Sequence, residues 1–132
     1  MSDIKDVEDI ELLVKERMKW FTYKGKEILL DDYSNLNQEV FLQLIYQITD
    51  LTFKSGKTDI LLIVDVTHSF ANKEIIKAFK ESGKRSKPIL NKTAVLGITG
   101  VKKILLNVVN KFTGLNAKVF STMEEAKEWL VA

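Results

Sequence analysis

Asp65, Val66, Thr67, His68 and Ser69 bring a carboxylate, two hydroxyls and an imidazole into five consecutive residues. Histidine beside a carboxylate and a hydroxyl is the composition of a general-base site. Consecutive loop residues seldom reach workable mutual geometry, however, and a solvated or partner-facing His68 fits better. No catalytic residue is therefore expected. One histidine and no cysteine also leave no donor set for a transition metal. Binding is the chemistry that remains, with Asp65, Thr67, His68, Ser69 and Asn72 as a polar rim for a ligand or partner. The plainer alternative is that Asp65 orders the loop while Ser69 or Asn72 caps the following helix. Ser69 is also a candidate phospho-acceptor, because a phosphate there would lie near a helix amino terminus, which favours negative charge.

Three other groups have spacing that can bind. Gly97 to Lys103 offers a glycine turn at Gly97 and Gly100, free helix N–H groups, Thr99, Lys102 and Lys103, a candidate anion cradle. The spacing is not that of a phosphate-binding P-loop. Asp31 and Asp32 could hold a hard cation, although capping and solvation at a strand end account for them as well. Lys73, Lys77, Lys80 and Lys84 follow at spacings of 4, 3 and 4, which aligns them on one side of a helix. Such a stripe suits an acidic protein, a second copy of the chain, or anionic head groups at a membrane surface. Nucleic acid is not expected, because no exposed aromatic is interleaved for base stacking.

The elements that position these groups follow from periodicity. Ile60 to Val64 is an apolar run bounded by polar residues, the pattern of a strand buried on both faces. In open α/β sheets the ligand or partner site lies past the carboxyl ends of such strands, which is where Asp65, Thr67 and Ser69 fall. Residues 3–17 carry Ile4, Val7, Ile10, Leu13 and Val14 at helical spacing, broken by Leu12. Met18–Tyr23 and Lys26–Asp31 flank Gly25 as a hairpin. Asn37 can cap a helix to about Thr52 that buries Phe41, Leu44, Ile45, Ile48 and Leu51. A helix after Asn72 turns Ile75, Ile76 and Phe79 inward and stops at Gly83, with no restart past Pro88. Thr93–Ile98 reads as a strand. Thr99 can cap a helix over Val101–Phe112 with Val101, Ile104, Leu105, Val108 and Phe112 inward. Ala117–Phe120 is a last strand. Ser121 and Glu124 match the capping-box spacing of a terminal helix that buries Met123, Ala126, Trp129 and Leu130. Alternating strands and helices imply a mostly parallel sheet of about five strands, with the hairpin making one edge antiparallel.

Composition bounds the function classes. The 132 residues make one domain, with 1–17 as a helical N-terminal extension and a core of useful size. The absence of cysteine fits a reducing cytoplasm, and Met1 to Asp6 lacks the build of a signal peptide. No run approaches the ~20 apolar residues of a membrane span. A cytoplasmic location is expected, and no cofactor is implied. Net charge is only +2, but residues 1–66 hold 8 Lys/Arg against 13 Asp/Glu and residues 67–132 hold 12 against 5. That asymmetry suits an acidic, phosphorylated or anionic partner, or else solvated lysines on exposed helix faces.

Trp20-Phe21-Thr22-Tyr23-Lys24-Gly25-Lys26-Glu27-Ile28-Leu29-Leu30-Asp31-Asp32-Tyr33-Ser34 resembles the first hairpin of the SpoIIAA-like family, a branch of the STAS (sulfate transporter and anti-sigma-factor antagonist) superfamily. Leu61 to Thr67, Lys92 to Gly100 and Phe120 to Leu130 are similar to the family too, so that the likeness spans roughly residues 18–131. The resemblance implies an α/β STAS sandwich and a non-enzymatic regulatory or protein-interaction module. It also implies comparison with CRAL-TRIO lipid-transfer domains, hence the alternative of a carrier or sensor for a small hydrophobic or lipid ligand. Anti-sigma-factor antagonists are switched by phosphorylation of a serine in an Asp-Ser-Ser-Gly type motif. The matching segment here, Thr67 to Asn72, supplies Ser69 without an acidic residue before it or a glycine after it.

Overall fold

The computed structural model describes residues 7–132. The hairpin forms as β1 (Met18–Tyr23) and β2 (Lys26–Asp32), antiparallel from Met18 opposite Asp31 to Tyr23 opposite Lys26. Lys24 and Gly25 turn it with positive φ at both positions, the backbone that matches strand twist. Then β3 (Ile60–Asp65), β4 (Leu90–Leu96) and β5 (Lys118–Phe120) add in parallel, giving the order β1-β2-β3-β4-β5. The sheet thus grows in one direction, and right-handed crossovers place every connecting helix on one face. These are α2 (Gln38–Lys54), α3 (Lys73–Ser86) and α4 (Lys102–Thr113), with α3 between the other two. The first helix, α1 (Val7–Arg17), packs on α2 and buries Ile10 and Val14 in the same core. Residues 3–6 of the expected first helix, Ile4 among them, and the side chain of Val7 lie outside the described residues. The last helix, α5 (Met123–Val131), covers the opposite face.

Strand alternation sorts the side chains between the two faces. Ile28, Ile63, Ala94 and Leu96 pack with Ala126 and Leu130 of α5. Leu29, Leu62, Val64 and Val95 face α2, α3 and α4. Asp31 and Thr93 share that second face. Among the described residues no helix is long and apolar enough to cross a membrane.

Several expectations shift. Gly83 does not stop α3, which runs on to Ser86. Gly83 is instead a contact point, since a Cβ there would meet Thr113 Cγ2 at 2.8 Å and Leu115 Cδ1 at 3.1 Å. Pro88 sits at the start of a 3-10 turn over Lys87–Ile89, where its missing N–H costs nothing. Leu51 is 39% exposed, because Thr49 and Thr52 take the inward positions and return their hydroxyls to the carbonyls of Ile45 and Ile48. The capping box of α5 is Thr122 and Glu125, one residue later than Ser121 and Glu124. The largest change is in α4. Val101, Ile104, Val108 and Phe112 point outward, while Leu105, Leu106 and Val109 face the sheet. Thr99 places no side-chain cap on this helix.

Candidate functional site

The carboxyl ends of β2, β3 and β4 are tied together by backbone bonds between three loops. Tyr33 N donates to Asp65 O at 2.8 Å, Asn35 N to Thr67 O at 2.9 Å, and Val66 N to Leu96 O at 3.0 Å. The expected rim residues reinforce this knot. Asp65 Oδ1 accepts from Thr67 N at 3.0 Å and from Thr67 Oγ1 at 2.6 Å, a carboxylate stabilising its own loop. Ser69 is 3% exposed; its hydroxyl donates to Tyr33 O at 2.5 Å and accepts from Leu36 N at 2.9 Å. Asn72 caps α3 by accepting from Ile75 N at 2.8 Å. His68 alone is free of these bonds, exposed and in the left-handed region at φ 59°. The structure therefore brings Asp65, Thr67 and Ser69 into one knot and leaves His68 outside it. Phosphorylation of Ser69 would require that knot to open. Ser69→Ala should cost about 1–3 kcal/mol of stability, the penalty for leaving the buried Tyr33 carbonyl unpaired, as read from urea unfolding.

The residues expected to cradle an anion are engaged in a similar way. The N–H groups of Lys102, Lys103 and Ile104 donate to the carbonyls of Thr99, Gly100 and Val101 in a tight first turn. Lys102 Nζ donates to Val66 O at 3.0 Å and to Gly97 O at 3.3 Å. Desolvation lowers its pKa, and the charge of Asp65 offsets part of that shift. Lys103 stays exposed. Asp31 and Asp32 cannot chelate together, since adjacent strand residues face opposite sides. Asp32 accepts from Ser34 N and Oγ and meets Arg17 Nη1 at 3.4 Å. Among the described residues no cluster of three or more His, Asp or Glu side chains could hold a metal.

Below the knot lies a cavity of about 140 Å³. Leu29, Leu62, Val64 and Val95 form its floor on the sheet, and Phe41, Ile75, Phe79, Leu106 and Val109 form its roof on the helices. Val66, Ser69, Ala71 and Lys102 bring the rim down to its upper end. Tyr33, Phe41 and Phe79 make an aromatic wall with ring centroids 5.3–5.7 Å apart, the separation of favourable stacked and edge contacts. Most polar side chains in the lining are satisfied. Thr49 pairs with Ser82 at 2.6 Å, and Asn110 bridges to Ala117 N and O at 3.1 Å.

Two polar atoms are left over. Asp31 Oδ1 and Thr93 Oγ1 are the buried side-chain atoms that find no partner among the described residues. The titratable groups in the lining are Asp31, Tyr33 and Lys102. Burial pushes the Asp31 carboxyl from its ordinary 3.8 up to about 8, so at neutral pH it is protonated and able to donate. Burial, and then the nearby Asp31, push the Tyr33 hydroxyl well above its usual value. Sequence reasoning singled out Asp31 only beside Asp32 as a cation ligand or strand-end cap, and it passed over Thr93. The available signal was strand parity, which sets Asp31 with Leu29 on the face that α2, α3 and α4 cover.

This sheet order, with three crossover helices on one face and a terminal helix on the other, can be set beside known proteins. The SpoIIAA-like family profile matches residues 18–131. The chain belongs to the SpoIIAA-like family. A solved structure of an uncharacterized protein from Shewanella loihica, of the DUF3478 family with a SpoIIAA-like fold, superposes with a TM-score of 0.65 at 18% identity. It covers 86% of this chain and 91% of its own, a likeness of fold. No curated protein matches the chain in sequence. The fold makes this SpoIIAA-like protein a STAS-type module, and its cavity and rim are features of its own residues.

Proposed function

We propose that this SpoIIAA-like protein binds rather than catalyses, and that it carries or senses a small apolar molecule held between the sheet and α2, α3 and α4. The observation that supports this is the cavity, an interior space of about 140 Å³ walled mostly by aliphatic and aromatic side chains. Native interiors are close-packed and leave few voids of this size. An engineered apolar cavity of about 150 Å³ binds benzene. Pockets for drug-sized ligands run to roughly 300–1,000 Å³, so the size suits a compact molecule better than a lipid chain.

The direct test is titration with toluene followed by amide chemical shifts, with native mass spectrometry of the fresh protein alongside. Toluene should perturb the amides of Leu62, Val64, Phe79 and Leu106 and leave those of the exposed α5 face unchanged. No perturbation up to saturating toluene, with no retained mass, would remove the reading.

A second observation favours recruitment of a protein partner by the same module. The outward stripe of α4 exposes Val101 at 67%, Ile104 at 63%, Val108 at 40% and Phe112 at 50%. The basic stripe of α3 borders it, with Lys80 and Lys84 Nζ at 5.3 and 5.2 Å from the Phe112 ring centroid. Apolar positions flanked by lysines suit an acidic segment with its own apolar anchors. The doubly reversed variant Lys77→Glu/Lys80→Glu should keep its stability within about 0.5 kcal/mol and lose the salt-sensitive part of partner binding or self-association. Unchanged binding at low salt would make the stripe a solvated face.

A further inference from the structure

We propose that the cavity is built for an uncharged molecule with an apolar body and a hydroxyl-type group at each end, one held by Asp31 and the other by Thr93. The inference rests on the reading that the cavity binds a ligand and adds what that ligand must look like. Asp31 is 7% exposed and Thr93 is 7% exposed, and both line the cavity with an oxygen that meets no partner. A buried polar atom without a partner is costly, and native proteins rarely keep one without a role for it. Here there are two in one apolar chamber, while the neighbouring Thr49, Ser69, Ser82 and Asn110 are all satisfied.

The register places the two anchors. Asp31 is level with Val64 and hence with Val95, and Thr93 lies two residues before Val95 on the second strand over. Leu62 and Val64 form the apolar floor between them. Two strand spacings and two residues of rise separate the anchor Cα atoms by about 12 Å. Both side chains rise from the same face of the sheet, so a ligand that reaches both needs an apolar body crossing β3 with a polar group at each end, as in a six-membered ring with para substituents. The cavity is the size for such a ring.

The chemistry also settles the charge. The buried carboxyl is protonated at neutral pH and can donate to an oxygen. Lys102 is the cationic residue of the described lining, and it is spent on two carbonyls. An anionic ligand would face no free cation in the lining. A cationic one would have to ionise Asp31 and desolvate both charges.

The test is a ladder of probes that adds one hydroxyl at a time: toluene, p-cresol and 4-hydroxybenzyl alcohol, titrated at pH 6.5 against wild type, Asp31→Leu and Thr93→Val. Affinity should rise about fivefold per hydroxyl in the wild type, the size of one well-made hydrogen bond. Each variant should lose one of those steps and keep its toluene affinity. Both variants replace an unpaired buried polar group by an apolar one of similar size, so both should fold. Three outcomes overturn the proposal: 4-hydroxybenzyl alcohol binding no tighter than toluene, variants climbing the ladder as the wild type does, or 4-methylbenzylamine binding tighter than p-cresol. In the first two, toluene binding would leave the apolar cavity reading standing. If none of the probes binds, that reading falls as well.

Discussion

Asp31→Leu is expected to make the protein more stable, and the gain should grow with pH. The wild-type carboxyl keeps its proton in the folded state up to about 8 and releases it near 3.8 when unfolded. Between those values the folded state holds one more proton than the unfolded state, so stability falls as pH rises. The contribution is fully present below 3.8, erodes across that window and is gone above about 8. Integrated over the window, the loss is on the order of 5 kcal/mol. The leucine variant has no such proton to lose. Urea unfolding of both proteins at pH 5, 7 and 9 should show the difference in unfolding free energy widening by several kcal/mol from the first to the last. A difference that stays constant with pH would mean that Asp31 finds a partner or reaches water, and the argument from an orphaned carboxyl would fail.

A carboxyl that costs the fold this much is a local choice at odds with the global structure. Such conflicts concentrate at functional sites. Asp31 occupies a position where its strand neighbours on the same face, Leu29 on β2 and Val64 across on β3, are apolar. An aliphatic residue there would complete the core. The same reasoning applies to Thr93, whose in-plane neighbour on β3 is Leu62. Stability and binding thus pull in opposite directions at these two positions, a trade-off seen where a protein keeps a destabilised site for function.

The elements of the fold were legible because their signals are local. The five-residue apolar run before Asp65, the turn at Gly25, and the caps at Asn37 and Asn72 each rest on adjacent residues, and the structure forms them at those places. The facing of α4 was not legible. Its apolar residues come in adjacent pairs, Ile104-Leu105 and Val108-Val109, so two stripes at helical spacing coexist and periodicity favours neither. Packing against α3 and over the cavity decides which stripe turns inward. The segment after Asp65 leaves the central strand where the sequence places it, but the direction of its side chains depends on three loops remote in sequence. Ser69 meets Tyr33 and Leu36, more than 30 residues away. The cavity is a product of packing between three strands and three helices, and no local pattern announces it.

The three-loop knot has one backbone position on which it depends. Gly97 follows β4 with φ +86°, and a Cβ there would stand 2.4 Å from Thr67 N, 2.5 Å from Thr67 Cα and 2.6 Å from Thr67 Oγ1. Two penalties combine for Gly97→Ala: an L-residue in the left-handed region, and overlap with main chain that cannot swing aside. Thr67 is held on both sides, by Asp65 and by the bond from Asn35 to its carbonyl, so relief would break the ties among the loops after β2, β3 and β4. The expected cost is about 3 kcal/mol or more. Gly100 supplies the control, since it also has positive φ (+56°) but nothing within 4 Å of its added Cβ. Gly100→Ala should cost only about 1 kcal/mol, the conformational part alone. Denaturant unfolding of the two variants side by side separates close approach from backbone preference. Because Val66 and Ser69 are both knot residues and cavity wall, Gly97→Ala should also weaken toluene binding, whereas Gly100→Ala should not. Equal costs for the two alanines would show that the loops can part without penalty, and that the upper end of the cavity is not held shut by the approach of Gly97 to Thr67.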